Sequence, residues 1–216
     1  MSELASTTTR LTEWEVRIHG AGALRVMGVP FGVTDSAARV LWWNQAMNVP
    51  AIEWLMANEE TVRASATSPL RITGNTAQSI TVDANGQSVI TAGIAAFDVA
   101  CAEVQAAVPL TVRLVNTVGV EMADYFVALG RARKIDTAVR TEATAVTFTV
   151  GGEVGGGRAD IFLLEDALCR GVAVEAQAAI EFLNRGHQLW VPSSERSRAQ
   201  GSSITDIPPD HQTEQR

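Results

Sequence analysis

The chain has 216 residues and carries 17 Lys and Arg side chains against 24 Asp and Glu side chains, a formal net charge of −7. Hydrophobic residues make up 46% of the chain and charged residues 19%, which is enough apolar material for one substantial core and excludes disorder throughout. The acidic balance argues against the extended basic face that nucleic acids and anionic membranes require. We therefore expect neither a nucleic-acid partner nor a membrane partner.

The N-terminus and the cysteines predict the compartment. Residues 1–10 are polar and lack the apolar segment of a signal peptide, and the longest apolar stretch, 89–99, is shorter than a membrane span. The two cysteines, Cys101 and Cys169, form neither a CxxC nor a Cys/His spacing. We expect free thiols in a cytoplasmic protein.

The first part of the chain is predicted to be helical. Residues 1–10 are interpreted as a flexible tail, and Thr12 is predicted to cap a first helix. The break at 28–32 separates it from a second helix, capped by Thr34 or Asp35. Pro50 is placed at the start of a third. The apolar stripe of the first helix is predicted from residues spaced three and four apart: Leu11, Trp14, Ile18, Ala21, Leu24 and Met27.

From residue 69 onwards the pattern changes to alternating strands and helices. Strands are predicted at 70–73, 79–82, 110–115, 144–150 and 161–164, and helices at 94–104, 120–133 and 175–184, the last with Gly186 as its C-cap. The predicted fold class is α+β: a helical unit at 11–62 and a mixed sheet with packed helices at 69–190. Both belong to one domain, 11–200, and a disordered tail follows at 201–216.

Several motifs are weighed and set aside. The glycine-rich run 151–157 follows a strand but lacks the Lys of a phosphate-binding loop, and the only lysine is Lys134. Gly20 and Gly22 are better explained by close approach of two helices than by dinucleotide binding. The three histidines are scattered. We therefore expect no cofactor and no metal.

Two polar or aromatic clusters remain as candidates for function. Trp42 and Trp43 are adjacent on a helix and cannot both face the core, which favours a subunit contact or a ligand wall, with Trp54 nearby in sequence. The segment 192–198 carries hydroxyls, a carboxylate and two guanidiniums, groups that suit an anionic ligand. The alternative for that segment is a solvated tail.

Two stretches resemble a family of bacterial proteins of unknown function. One is GAGALRVMGVPFGVTDSAARVLW, residues 20–42, in which Gly32 and Arg39 fit the family's helix-turn-helix pattern. The other is LWVPSSERSRAQG, residues 189–201, which is similar to the family's C-terminal ending. The resemblance implies a companion of small-molecule catabolic enzymes, including dehydrogenases.

These residues together define a hypothesis for function. A small anionic metabolite is expected to bind between the helical unit and residues 194–198, as the substrate of a hydrolase or lyase that uses no cofactor. Its alternative is a non-catalytic subunit or assembly partner of a catabolic enzyme, and a homo-oligomer is expected in either case. The proposed catalytic residues are Glu195, Asp35 and Ser194, and the proposed substrate-binding residues are Arg198, Arg39 and Trp42.

Overall fold

The computed structural model describes residues 7–104, 108–151 and 161–189, and their fold is α+β, as the sequence predicts. Within these ranges the helices are α1 (Glu13–Val26), α2 (Phe31–Ala46), α3 (Ala51–Ala57), α4 (Glu59–Ser65), α5 (Val89–Glu103), α6 (Tyr125–Ala132), α7 (Ile161–Arg170) and α8 (Ala176–His187). The strands are β1 (Thr8–Leu11), β2 (Arg71–Thr76), β3 (Ser79–Asp83), β4 (Leu110–Val115), β5 (Thr137–Glu142), β6 (Ala145–Val150) and β7 (Val172–Glu175).

The main sheet has five strands in the order β2-β3-β4-β6-β5. Strands β3 and β4 run parallel and the other pairs are antiparallel. Helix α5 makes the crossover that a parallel pair requires, and packs on the sheet. Three phenylalanines fill the space between them: Phe97 on α5 and Phe126 on α6 meet Phe148 on β6, with ring centroids 5.1–5.9 Å apart.

Strand β1 corrects the predicted tail. Residues 8–11 pair antiparallel with β7, in the register Thr8↔Glu175 to Leu11↔Val172, so the prediction of a flexible tail is wrong for residues 8–10. Three of the four residues of β1 are exposed, and Leu11 alone is buried. The strand therefore has almost no local hydrophobic pattern and depends on a partner that is distant in sequence.

The first helix begins as predicted and the second does not. Thr12 and Glu15 form a capping box at the start of α1. Helix α2 begins at Phe31, directly after Pro30, so Thr34 and Asp35 lie inside it. The Thr34 hydroxyl donates to the carbonyl oxygen of Phe31 at 3.0 Å instead of capping an N–H group. Proline, whose fixed φ suits a helix start, takes the boundary position.

Two predictions in the C-terminal part are also wrong. Residues 161–164, predicted as a strand, begin helix α7; a short apolar run does not distinguish strand from helix. Gly186 is not a C-cap but an internal residue of α8, which continues to His187. Strands β5 and β7 were not predicted. Residues 190–216 lie outside the described structure, and with them the predicted end of the domain and the C-terminal tail.

No helix in the described ranges is long and apolar enough to cross a membrane.

Candidate functional site

A groove of about 500 Å³ runs along the outer side of α1. Asp35 of α2 borders one end, and Leu189, just after α8, forms part of its wall. The described residues lining the groove are Glu13, Trp14, Arg17, Ile18, Ala21, Gly22, Arg25, Asp35 and Leu189. The volume is in the range of pockets that hold small ligands.

The close crossing of α1 and α8 brings Leu189 to this groove. A Cβ atom added to Gly22 would lie 2.7 Å from the carbonyl oxygen of Gly186, and one added to Gly186 would lie 2.7 Å from the Cα atom of His19. A Cβ atom added to Gly20 would lie 3.3 Å from the Cβ atom of Ala38, a close but less severe contact. The prediction that these glycines permit close helix approach is confirmed. Backbone-to-backbone contact fixes the end of α8 beside α1.

The middle of the groove is apolar. Trp14 is 62% exposed, Ile18 is 41% exposed and Leu189 is 43% exposed. The predicted core stripe of α1 is therefore wrong at Trp14 and Ile18. The helix instead buries the face that contains Val16, Ala23 and Leu24. Tryptophan and isoleucine side chains that line an open groove are available to a ligand.

Each end of the groove carries one guanidinium and one carboxylate. At the N-terminal end of α1, Arg17 lies 3.4 Å from Glu13, one helical turn away. At the other end, Arg25 Nη2 lies 3.9 Å from the Asp35 carboxylate, which is the outer limit of an ion pair. Exposed pairs of this kind contribute little to stability. A ligand carboxylate can therefore replace Asp35 beside Arg25 at a small cost in stability.

The neighbours of Arg25 hold its guanidinium in place. Its Cζ atom lies 3.9 Å from the ring centroid of Phe31, a cation–π contact. Its Nε atom donates to the hydroxyl oxygen of Thr34 at 3.3 Å, and Thr34 itself is buried. A guanidinium oriented in this way presents its remaining N–H groups to the groove, where a carboxylate can accept them.

The predicted site residues are only partly brought together. Asp35 lines the groove, whereas the described lining does not include Arg39, which is exposed further along α2. Trp42 is half-buried and packs against the core. Glu195, Ser194 and Arg198 lie outside the described residues.

The tryptophans predicted to form a contact surface are half-buried and contact other parts of the fold. The Trp43 ring meets Tyr125 edge-on with 5.9 Å between centroids, and Trp54 packs against Gly119. Burial raises the pKa of the Tyr125 hydroxyl, with the charges of Arg39 and Arg133 opposing that rise.

His19 lies at the α1–α8 crossing, against Gly186. It is buried, and its ring centroid is 4.5 Å from that of His187. Burial lowers the pKa of His19, and the charge of His187 lowers it further, while Glu15 opposes the shift. Across the described ranges no cluster of three or more His, Cys, Asp or Glu side chains is placed to hold a metal ion.

Sequence reasoning missed the residues that form most of the groove. Arg17 and Arg25 are not among the predicted site residues, and Trp14 and Ile18 are assigned to the core. The available signal was the series of outward positions 14, 17, 18, 21 and 25, which follow each other at helical spacing on α1.

The fold belongs to a class seen in solved metabolic enzymes, although no protein-family model and no curated protein sequence matches the chain. Sulfolactate dehydrogenase from Methanocaldococcus jannaschii aligns over 59% of this chain and 38% of its own, with TM-score 0.51 and 15% identity. Malate dehydrogenase from Pyrococcus horikoshii aligns over 62% and 40%, with TM-score 0.52 and 13% identity. Malate dehydrogenase from Entamoeba histolytica aligns over 88% and 72%, with TM-score 0.51 and 12% identity.

At these identities the likeness is one of fold. The chain spans about 40% of the length of the first two enzymes.

Proposed function

We propose that the groove along α1 binds a small metabolite that carries a carboxylate, and that Arg25 is the residue that binds the carboxylate. The observation that carries this proposal is the fixed position of the Arg25 guanidinium, stacked on Phe31 and bonded to Thr34. A charged hydrogen bond from a guanidinium already in place costs less side-chain entropy than one from a mobile arginine. Arg25 thus takes the role that the sequence hypothesis gave to Arg39.

The names of the structural neighbours support the same ligand class. Sulfolactate and malate are small organic acids, and the solved enzymes with this fold are named for acting on them. The resemblance to the bacterial family of unknown function adds a setting in small-molecule catabolism. The proposed ligand is therefore a small anionic metabolite of catabolism.

The reaction that we propose is the one that the sequence favours, hydrolysis or elimination without a cofactor. Asp35 borders the groove beside Arg25 and is the proposed acid or base. Ser194, Glu195 and Arg198 remain proposed contributors: residue 190 follows Leu189, which is part of the groove wall. Hydride transfer, the reaction of a dehydrogenase, is the competing outcome.

Calorimetric titration with malate, lactate and sulfolactate tests the binding site. Arg25→Gln is expected to weaken binding about 10-fold to 100-fold, the effect of losing a charged hydrogen bond worth roughly 1.5–3 kcal/mol. Arg39→Gln is the control, an exposed arginine of the neighbouring helix α2 that is not among the described lining residues, and is expected to bind as the wild type does. Loss of binding in the control with retention in Arg25→Gln would overturn the assignment.

Product analysis by NMR, run in parallel with absorbance at the nicotinamide band, tests the reaction. Conversion of an acid without added nucleotide supports hydrolysis or elimination. Conversion that requires NAD or NADP refutes it in favour of hydride transfer.

Helix α7 favours a second candidate function, that of a subunit in a larger assembly. Ile161, Phe162 and Leu168 of this helix are 61%, 77% and 58% exposed, and exposed apolar residues that cluster on one element mark interaction surfaces. Light scattering on wild type and Leu168→Ser tests it, with Ile180→Ser of α8, an exposed isoleucine on another helix, as control. An unchanged monomer mass in all three proteins excludes self-association through α7.

A further inference from the structure

We infer that the groove selects an amphipathic monocarboxylate, an acid with a hydrocarbon or aromatic body, over a compact polar acid such as malate. The inference rests on the proposed function, because it takes the Arg25 guanidinium as the carboxylate anchor. It goes beyond the proposed function because it uses the residues next to Arg25 to predict which class of acid the site prefers.

An apolar surface extends from Arg25 along α1. Ile18 lies seven residues before Arg25 and Trp14 lies eleven before it, which at the helical rise is roughly 10 Å and 16 Å along the axis. Ala21 lies between Ile18 and Arg25, and Leu189 adds a wall after the end of α8. A carboxylate bound at Arg25 would have its body directed along this surface.

The size of the groove also favours a longer ligand. Its volume of about 500 Å³ lies within the range of roughly 300–1,000 Å³ typical of sites for drug-sized ligands. A compact acid held at Arg25 would leave the Trp14 and Ile18 side chains in water. A hydrocarbon body that covers them removes apolar area from water on both partners, and this is favourable.

The far end of the groove does not require a second charged group on the ligand. Arg17 and Glu13 are one turn apart and already neutralise each other at 3.4 Å. At the other end the Arg25–Asp35 pair is looser, at 3.9 Å, and Arg25 is held in place by Phe31 and Thr34, so its guanidinium is the one more open to a ligand carboxylate. This asymmetry favours one carboxylate with an apolar tail over a dicarboxylate.

A chain-length series tests the inference. Straight-chain acids from butanoate to octanoate are titrated into the protein by calorimetry, with malate as the compact reference. Complete burial of one CH₂ group is worth about 0.8 kcal/mol, or about fourfold in affinity, and the open side of the groove reduces this. We expect a gain of about twofold to fourfold per CH₂ group, and octanoate to bind more tightly than malate.

Three variants test whether the gain in affinity with chain length comes from contact with the groove. Ile18→Ser is expected to flatten the dependence on chain length, whereas Ile180→Ser, an exposed isoleucine that is not among the described lining residues, is expected to keep it. Arg25→Gln is expected to weaken every acid by a similar factor and leave the dependence unchanged. Urea unfolding midpoints near the wild-type value establish that each variant is folded.

The outcomes separate this inference from the proposed function. If malate and the longer acids bind equally well and all depend on Arg25, the amphipathic preference is refuted and the proposed function stands. If no acid binds, both are refuted. If affinity rises with chain length but is unaffected by Arg25→Gln, the groove is an apolar docking surface, and the carboxylate assignment is overturned with the inference.

Discussion

Replacing Gly186 by alanine is expected to destabilise the protein, although alanine is the better helix former. The added methyl would lie 2.7 Å from the Cα atom and from the carbonyl oxygen of His19, and 2.8 Å from its Cβ atom. Carbon atoms in favourable contact are about 3.5 Å apart or more, so the two helices must separate by roughly 0.8 Å. Two of the three atoms are backbone atoms and cannot rotate out of the way.

Two opposing contributions set the expected change in the free energy of unfolding. Overpacking of this kind costs about 1–3 kcal/mol, and contact with backbone places Gly186→Ala at the upper end of that range. The higher helix propensity of alanine stabilises the protein by about 1 kcal/mol when it replaces glycine. We therefore expect the free energy of unfolding to fall by about 2 kcal/mol.

Gly32→Ala is the matched control, since Gly32 also lies in a helix. No atom of the described chain, apart from its immediate neighbours and the backbone of its own helix, lies within 4 Å of the position of its Cβ atom. The same substitution is therefore expected to stabilise the protein there, by about 0.5–1 kcal/mol. Urea unfolding, with an unchanged m value as the check on comparability, measures both effects. A Gly186→Ala protein as stable as the Gly32→Ala protein would refute the close α1–α8 crossing.

Three other substitutions test particular contacts. Thr12→Ala removes the capping box that Thr12 forms with Glu15 and is expected to lower the free energy of unfolding by about 1 kcal/mol in thermal or urea unfolding. Gln45→Ala removes a buried amide that bonds backbone groups of α3 and β7, and leaving those groups unsatisfied should cost about 1–3 kcal/mol. Because burial lowers the pKa of His19 below the usual 6.5, the unfolded chain binds a proton there at higher pH than the folded chain does. Stability should therefore fall as pH decreases from about 6.5, by at most about 1.4 kcal/mol per pH unit for this one proton, and His19→Gln should remove that part of the slope.

Local chemistry made some elements predictable. The capping signal at Thr12, the apolar alternation of β4 and the β-branched run of β6 each depend on residues close in sequence, and each element lies where it was expected. The turn after β3 also has a local cause, because Asn85 and Gly86 adopt the positive φ values, 48° and 83°, that the Asn-Gly pair favours.

Elements that depend on distant partners were not predictable in the same way. Strand β1 exists because it pairs with β7, and its own four residues, three of them exposed, show no apolar alternation. Gly186 has the sequence signature of a helix end, yet it lies inside α8 because a helix that crosses His19 this closely needs a residue without a side chain. The glycine is required by a contact with another helix, and the sequence around Gly186 does not show that contact.

The misassignment of Trp14 and Ile18 explains why the groove was missed. Helix α1 carries two apolar stripes that overlap at Ala21, one containing Val16 and Leu24 and the other containing Trp14 and Ile18. Both satisfy helical spacing, so periodicity alone assigns either one to the core. Gly20 decides between them, because it meets Ala38 of α2 and Phe182 of α8, and the stripe on its side of α1 is buried. The other stripe is then left on the surface beside two arginines, where it lines the groove proposed to bind the ligand.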